Sequence, residues 1–334
     1  MFRRIAILAA VLLLCLAGGL LQRGCRKPAP KALWHTYRTF AFNTDCWIKL
    51  RDASEEGANA TARECILLLA SLHNDLNRFD AESAVSQFNR APAHIPFPCN
   101  DNLWRAFMDA QRAYRETDGA FDVTIGPLMA YWHDVAQGKR EPDEAALQAA
   151  RACVGFDKLS FNMAAHTVTK TAEGLQVDFG GLAKGIALDL ASNLLKTNEL
   201  DKFLLNFGGN IHLALPEGEA DDVAVGDPRE ENRLICNIKA CNGRFVATSS
   251  DAHRALSPGK VSHVIDPRTG QPAEALLSAT AVTLDGASSD YLSTALFVGG
   301  EKLARHLIQT RPDDGFLLID RNGRTISLGN LTTD

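Results

Sequence analysis

The chain has 334 residues, enough for one large domain or two smaller lobes. Its composition, 46% hydrophobic and 22% charged, is typical of a globular protein. The formal net charge is -5, and residues 1–30 hold five basic residues and no acidic one, which leaves 30 basic against 40 acidic residues in the remainder. A body this acidic argues against nucleic acid as a partner, since phosphate contacts need a basic patch.

The N-terminus has the features of a targeting segment. Arg3 and Arg4 precede an apolar run over residues 5–21 that contains no charged residue. This order predicts a signal or membrane-anchor segment with a linker over residues 1–30, and a body on the periplasmic side of a bacterial inner membrane. The sequence leaves open whether the segment is cleaved, lipidated at Cys25 or kept as an uncleaved anchor.

The first half of the body is predicted to be rich in helices. Residues 36–50 have strand-like content, and residues 54–77 repeat apolar side chains at intervals of three and four, as a helix does. Three further helices are predicted, over residues 101–118, 126–132 and 142–153. Asp101 would cap the first of these and Gly119 would end it.

The second half is predicted to be rich in strands. Short strands are expected near residues 159–162, 167–171, 176–179, 203–207, 211–215, 223–225, 235–238, 245–248, 262–265 and 278–283. Helices over 183–196 and 289–298 interrupt the series. Most connections are too short for crossovers, which predicts an α+β fold of mixed, mainly antiparallel sheets with flanking helices.

Eight cysteines are present, two of them in the N-terminal segment, and no pair has the spacing of a zinc site. Export across a membrane would permit disulfides. The spacing does not decide a pairing, and buried free thiols are the prediction for most of the six cysteines in the body.

Asp290 and Thr294 are candidates for a metal site. They stand four residues apart on the predicted helix over 289–298, so they share one face, with Ser293 beside them. Magnesium takes one or two protein oxygens of this kind and keeps its other positions for water and substrate phosphates. The alternative is an ordinary surface helix in which Asp290 stabilises the first turn.

Gly180 and Gly181 follow a predicted strand and precede the helix over 183–196. Two glycines let a ligand come close to the backbone, the helix N-terminus directs N–H groups towards it, and Lys184 adds a positive charge. The pattern predicts a phosphate site, although a plain strand-to-helix turn explains it about as well.

His263 lies in the predicted strand over 262–265, beside a turn that begins at Asp266 and Pro267. An imidazole in this place is suited to accept a proton near neutral pH. A lone histidine in a strand is more often structural, so its role depends on what lies near it.

Five segments, in this order, resemble the FAD:protein FMN transferase (ApbE) family. They are residues 117–122 (TDGAFD), 178–185 (DFGGLAKG), 206–209 (NFGG), 262–270 (SHVIDPRTG) and 290–294 (DYLST). The resemblance covers most of the body and implies one domain of ApbE-like, T-fold-like architecture over residues 31–334, with a helix-rich first part and a β-rich second part. The chain departs from the usual family pattern at residues 42–44, 79 and 248–250.

Members of that family cleave FAD with magnesium, attach FMN through its phosphate to a threonine or serine of another protein, and release AMP. The resemblance implies FAD as bound substrate, Mg2+ as cofactor, and an exported or membrane electron-transfer protein as acceptor. Two alternatives stay open: a hydrolase that converts FAD to FMN and AMP, and a membrane-tethered flavin-binding protein without catalysis.

The resemblance also implies roles for individual residues. His263 would be the base that activates the acceptor hydroxyl. The metal would lie against the Gly181 carbonyl, Asp290 and Thr294, with Ser293 as a further ligand. FAD would contact Phe42, Phe79, Ala120, Phe121, Asp122, Asp178, Lys184 and Val264.

Overall fold

The fold is that of a computed structural model, which describes residues 33–52, 54–230, 232–239, 241–250 and 262–334. The predicted signal or anchor segment over residues 1–30 lies outside these residues. No helix among the residues described is long and apolar enough to cross a membrane.

The strands, in chain order, are β1 (Leu33–Ala41), β2 (Thr44–Asp52), β3 (Phe97–Pro98), β4 (Leu159–Asn162), β5 (Thr167–Lys170), β6 (Phe203–Phe207), β7 (Asn210–Ala214), β8 (Val223–Gly226), β9 (Leu234–Ile238), β10 (Phe245–Ser250), β11 (Leu276–Thr283), β12 (Gly315–Asp320) and β13 (Thr325–Gly329). The helices are α1 (Glu55–Leu76), α2 (Ala84–Arg90), α3 (Asp101–Glu116), α4 (Gly126–Ala136), α5 (Glu144–Ala152), α6 (Ala183–Thr197) and α7 (Gly286–Thr310).

Eight strands form the main sheet in the order β1-β2-β6-β7-β10-β11-β12-β13, and every neighbouring pair is antiparallel. Two small sheets, β3-β5-β4 and β8-β9, are antiparallel as well. The pairs β1-β2 and β6-β7 are hairpins joined by two residues, so local turns connect these neighbours. The predicted α+β class with mainly antiparallel sheets and flanking helices is confirmed.

The inner face of the main sheet carries the core. Ile48 and Leu50 of β2 and Leu205 of β6 point to this face and are fully buried. The helices α1, α6 and α7 pack there. In α1 the buried residues recur at intervals of three and four, so the helix presents one apolar stripe to the sheet.

The outer face of the main sheet is covered over part of its width. The β8-β9 pair lies across β7, β10, β11 and β12, where Val225 joins Val246 and Leu317 in one apolar cluster. Over β1 and β2 the described residues provide no such layer. Phe40 and Trp34 are 64% and 47% exposed there.

Two predicted boundaries were wrong in the first half. Residues 36–50 form a hairpin, since Phe42 and Asn43 turn the chain with φ values of 52° and 57°. No glycine marked this left-handed turn in the sequence. Asn100, not Asp101, caps α3 by accepting a hydrogen bond from the Leu103 N–H at 2.9 Å.

Two predicted strands, over residues 176–179 and 262–265, are not strands in the part of the chain described, since their backbone groups pair in other ways. Val177 pairs with the side-chain amide of Asn89, which donates to its carbonyl at 2.9 Å and accepts from its N–H at 2.7 Å. Residues 262–265 keep a single bridge, from Ile265 to Pro272. Proline lacks the N–H donor that would extend such a bridge into a ladder.

The last predicted helix was too short. Asp285 caps α7 by accepting a hydrogen bond from the Ser288 N–H at 2.9 Å, so the helix begins at Gly286 and continues to Thr310. β12 and β13 then complete the main sheet, and the sequence had not predicted either of them.

The described cysteines are free thiols, as predicted for most of them. Cys46, Cys65 and Cys241 are buried, and burial raises the pKa of the Cys65 thiol to about 12. A thiol held in its protonated form is a poor nucleophile. We therefore regard these cysteines as packing residues.

Candidate active site

A cleft of about 610 Å³ opens at one end of the main sheet. The start of β2, the start of β7, the end of β10 and parts of α6 and α7 line it, together with loops near residues 120–125, 224–228 and 263–267. Ten predicted site residues line this cleft: Ala120, Phe121, Asp122, Asp178, Gly181, Lys184, His263, Val264, Asp290 and Thr294. Phe42, Phe79 and Ser293 are outside its lining as far as the described residues show.

The wall that carries the charged groups forms where α6 and α7 touch backbone to backbone. A side chain on Gly185 would overlap the carbonyl oxygen of Gly286, and a side chain on Gly286 would overlap that of Gly185. This approach needs glycine on both helices, and it brings the Gly185 N–H within 3.0 Å of the Asp290 carboxylate. We call residues 180–185 together with Asp290, Ser293 and Thr294 the helix wall.

Asp189 holds the two helices together one turn further along α6. Its carboxylate oxygens accept hydrogen bonds from the N–H groups of Gly286 and Ala287 at 2.7 and 2.9 Å. These N–H groups begin α7 and have no partner within the helix, so Asp189 caps α7 from α6. Burial raises the pKa of Asp189 to about 6. The sequence analysis missed Asp189. The one local feature that could have indicated it is the position of this acid four residues after Gly185.

Asp290 and Lys184 form a buried ion pair in the cleft. Lys184 Nζ lies 3.1 Å from one carboxylate oxygen and donates to the Gly180 carbonyl at 3.2 Å. The Lys184 side chain is only 8% exposed and that of Asp290 only 4%. Removing either charge would leave the other buried and unpaired, which is costly in a protein interior.

Hydroxyl groups cluster beside Asp290. Ser249 at the end of β10 contacts Ser293 Oγ at 2.9 Å and Thr294 Oγ1 at 3.2 Å. A side chain on Gly181 would come within 3.2 Å of the Thr294 hydroxyl, so Gly181, Asp290 and Thr294 lie close together. Ser293 donates to the Asp290 carbonyl at 2.9 Å and supports the other groups from outside the cleft.

Asp178 lines the cleft and pairs with Arg78, which lines a smaller pocket of about 310 Å³. One of its oxygens accepts a hydrogen bond from the Gly180 N–H at 2.8 Å, and the other pairs with Arg78 Nε at 2.6 Å. The Arg78 guanidinium lies 4.2 Å from the ring centroid of Phe79, which is 76% exposed and lines the smaller pocket. Phe79 therefore faces a neighbouring space rather than the main cleft.

Asp122 shapes the loop that presents Ala120 and Phe121. Its carboxylate accepts hydrogen bonds from the Thr124 N–H at 2.8 Å and from the Phe156 N–H at 3.0 Å. Burial raises its pKa, and these hydrogen bonds oppose that effect. The carboxylate is thus engaged in holding the loop.

Phe42 lies in the β1-β2 turn. Its ring packs edge-on against His73 with the centroids 5.7 Å apart, and its N–H donates to His73 Nδ1 at 3.1 Å. This turn adjoins Thr44, which lines the cleft. Phe42 is therefore near the cleft without forming its wall.

His263 faces the helix wall from an irregular segment, residues 262–270, which we call the histidine loop. Its ring is half-buried and lines the cleft. Trp132 of α4 donates to the Gly270 carbonyl at 2.7 Å, and the Ala273 N–H donates to the Val264 carbonyl at 2.8 Å. These bonds hold the loop at two points, so His263 is kept in the lining of the same cleft as Asp290 and Thr294.

Two buried polar atoms in the cleft have no hydrogen-bond partner among the described residues. They are the side-chain amide nitrogen of Asn210 and the hydroxyl of Ser278, which are 2% exposed in each case. An unsatisfied buried polar group costs free energy unless a ligand or water pairs with it. Sequence reasoning did not single out either residue.

Comparison with known proteins places the chain in a family. The model of the ApbE family matches residues 42–317, and the chain belongs to that family. It is similar to the FAD:protein FMN transferase of Vibrio cholerae, at 27% identity over 320 residues, 91% of this chain and 95% of the relative. It is also similar to the FAD:protein FMN transferase of Salmonella typhimurium, at 29% identity over 243 residues, 70% and 69% of the two chains.

Solved structures share the fold. The ApbE protein from Thermotoga maritima superposes with a TM-score of 0.77 at 26% identity, covering 88% of this chain and 96% of that one. The flavinyl transferase ApbE of Pseudomonas stutzeri gives a TM-score of 0.75 at 26% identity, covering 89% and 94%. The ApbE-like architecture predicted from the five sequence segments is confirmed.

Proposed function

We propose that this protein is a magnesium-dependent FAD:protein FMN transferase. In this reaction the FAD pyrophosphate is cleaved, FMN is attached through a phosphoester to a threonine or serine of an acceptor protein, and AMP leaves. One observation carries the proposal: His263 and the Asp290-Thr294 pair, distant in sequence, line the same cleft. Membership of the ApbE family and the names of the relatives support the choice of reaction.

The donor set fits a magnesium ion. Asp290 and Thr294 offer a carboxylate and a hydroxyl, with the backbone of Gly181 beside them. These hard oxygens suit magnesium, which needs few protein ligands. No group of three or more His, Cys, Asp or Glu residues within the described ranges could hold a metal ion, so the site would depend on substrate oxygens as well. The bound ion would neutralise charge on the pyrophosphate.

The protein groups have separate tasks in the transfer. His263 takes the proton of the acceptor hydroxyl, whose oxygen attacks the phosphorus of the FMN half as the bond to the AMP phosphate breaks. Lys184, whose side chain lines the cleft beside Asp290, would stabilise negative phosphate oxygens. The unpaired amide of Asn210 and hydroxyl of Ser278 would bond polar groups of FAD.

The remaining parts of the proposal concern place and partners. The basic start and apolar run of residues 1–30 support attachment to the bacterial inner membrane with the body on the periplasmic side. The acceptor would then be an exported or membrane electron-transfer protein. The surplus of acidic residues in the body supports our expectation that nucleic acid is not a partner.

The decisive test combines full-length protein, FAD, Mg2+ and a peptide that contains Asp-Gly-x-Thr-Gly-Ala-Thr, the acceptor motif that the resemblance to the ApbE family implies. We expect the intact mass of the peptide to rise by that of an FMN phosphoester, with release of AMP. The matched control peptide carries alanine in place of both threonines and should gain no mass.

Other outcomes would contradict the proposal in distinct ways. Release of AMP at the same rate without peptide, and no adduct when peptide is present, would identify an FAD hydrolase. FAD binding that survives chelation of metal, with neither AMP nor adduct, would identify a binding protein.

A further inference from the structure

The bare part of the main sheet's outer face has a distinct composition. Along β1 and β2, alternate residues point inward, as Ile48 and Leu50 do, so the residues between them point outward. We call the outward set the β1-β2 face; it consists of Trp34, Thr36, Arg38, Phe40, Asp45, Trp47, Lys49 and Arg51.

Large aromatic rings are exposed on the β1-β2 face. Phe40 is 64% exposed, Trp34 47% and Trp47 37%. The other half of the same sheet surface buries its apolar residues beneath β8 and β9. A contiguous group of exposed large apolar side chains on a soluble body is typical of a surface that meets a partner.

The β1-β2 face is also positively charged, against the acidic character of the body. Arg38 lies over the Trp47 ring at 4.9 Å, and Lys202 lies over the Trp34 ring at 5.9 Å. Lys49 and Arg51 add two further cations, while the acids in contact with this group are Asp45, paired with Arg38, and Glu219, paired with Lys202. Basic side chains interleaved with tryptophan suit the headgroup region of an anionic bilayer.

The chain itself supplies a link to such a surface. β1 is an edge strand, and its first residue follows the apolar run over residues 5–21 by a linker of eleven residues, 22–32. Eleven residues span about 40 Å at most when extended, so an anchored N-terminus would keep the β1-β2 face near the membrane. A tether of this length raises the local concentration of the face at the bilayer, so weak contacts suffice.

We infer that the β1-β2 face lies against the headgroups of an anionic phospholipid membrane. The inference rests on the proposed membrane attachment of the N-terminal segment. Phe40 pairs across the hairpin with Asp45, next to Thr44 in the cleft lining, so the face ends beside the cleft. Docking in this way would present the cleft to an acceptor held at the membrane surface.

Tryptophan quenching by brominated lipids tests the inference on the full-length protein. It would be reconstituted in vesicles of phosphatidylethanolamine and phosphatidylglycerol with bromine near the headgroup end of the acyl chains. Trp34 and Trp47 lie on the face, while Trp104 of α3 stacks on His166 and Trp132 of α4 donates to the Gly270 carbonyl, so these two lie on other elements. We expect quenching in the wild type that W34F/W47F removes.

Charge reversal gives a matched pair of variants. K49E/R51E should at least halve the quenching while the protein still floats with the vesicles through its N-terminal segment. K302E/R305E, which reverses two exposed cations on α7, should leave quenching at the wild-type level. Both variants should keep wild-type transfer to a soluble peptide, since none of these side chains lines the cleft within the described residues.

The failures are distinguishable. A wild-type protein that does not float with vesicles would overturn the membrane attachment, and the docking with it, and leave the transferase chemistry standing. A protein that floats with Trp34 and Trp47 unquenched would overturn the docking alone. A third outcome is that the tryptophans are unquenched and the protein has a doubled mass in detergent. If K49E/R51E abolishes the doubled mass, the face is assigned to a second copy of the chain.

Discussion

The two sides of the cleft are built by different means. The helix wall is fixed by the backbone contact between Gly185 and Gly286 and by the buried Lys184-Asp290 ion pair. The histidine loop is irregular, half-exposed at His263 and held by hydrogen bonds at its ends. The difference indicates that packing between two helices fixes the charged groups of the cleft, whereas His263 lies on a segment without regular secondary structure.

The largest effect should come from the histidine loop. His263→Asn keeps a polar side chain but removes the imidazole that would accept the proton, so the rate of transfer to a peptide should fall by about 100- to 10,000-fold. FAD affinity, measured by fluorescence titration, should stay unchanged because the helix wall is intact. A transfer rate within about tenfold of wild type would mean that His263 is not the base.

A change in the helix wall should lower turnover more than FAD binding. It should lower the stability of the protein too. Asp290→Asn should lower the rate of AMP release by about 100- to 1,000-fold, since charge on the pyrophosphate is no longer neutralised. FAD binding should weaken less than turnover. The substitution should also lower the melting temperature, because Lys184 loses its buried partner.

Asp45→Asn is the matched control for Asp290→Asn, since it removes an acid from an exposed ion pair with Arg38. Rate and melting temperature should both stay near wild type. Equal losses of turnover and FAD binding in Asp290→Asn would contradict the assigned role and favour a binding protein.

The backbone contact can be broken without touching a charged group. Gly185→Ala would place a methyl group against the Gly286 carbonyl, which we expect to cost about 1 to 3 kcal/mol of unfolding free energy. Chemical denaturation measures this. The control, Gly226→Ala, places its methyl 3.9 Å from the nearest atom and should change stability little. Equal stability of the two variants would show that the helices do not need this approach.

The smallest effect is a pH dependence of stability that comes from a buried histidine in the main sheet. His212 of β7 is fully buried, its ring stacks on Phe245 at 3.8 Å, and burial lowers its pKa to about 4. A histidine whose pKa is lowered in the folded state gives stability that is present above its unfolded value and is lost as pH falls towards the folded one. The contribution of His212 to the unfolding free energy, measured as the difference between wild type and His212→Phe, should therefore drop by about 1 kcal/mol between about pH 7 and pH 5.5.

Denaturation curves at several pH values would check this slope. His212→Phe should flatten it, since phenylalanine keeps the stacking and does not titrate. His306→Gln, at an exposed position on α7, should leave the slope as in the wild type. A slope that survives in His212→Phe would assign the acid sensitivity to other groups.

The sequence predicted the residues that line the cleft better than the residues that hold them in place. Four of the five segments contain the ten predicted residues that line the cleft, because each of these motifs places a glycine, a carboxylate or an imidazole in its wall. Asp189 and Ser249 escaped assignment because their partners lie on other elements, and no local spacing relates Asp189 to Gly286. The hairpin turn at Phe42 was hidden because it has no glycine.

Long-range pairing limited the fold prediction in the same way. Val177 was predicted to lie in a strand, yet its backbone bonds the side chain of Asn89, 88 residues away in sequence. The β12 and β13 strands were missed although Phe316 and Leu318 join the core. Helices with a regular apolar repeat, such as α1, were predicted within two residues of their ends because periodicity is a local property.

Manganese binding, with Mn2+ in place of Mg2+, tests most directly whether the helix wall holds the metal that assists FAD cleavage. Electron paramagnetic resonance of the full-length protein with FAD should show a single saturable Mn2+ site in the wild type. Asp290→Asn should lose that site. Ser293→Ala should bind Mn2+ more tightly than Asp290→Asn does, because Ser293 lies outside the cleft lining among the described residues. Mn2+ binding of equal affinity in wild type and Asp290→Asn would contradict the account.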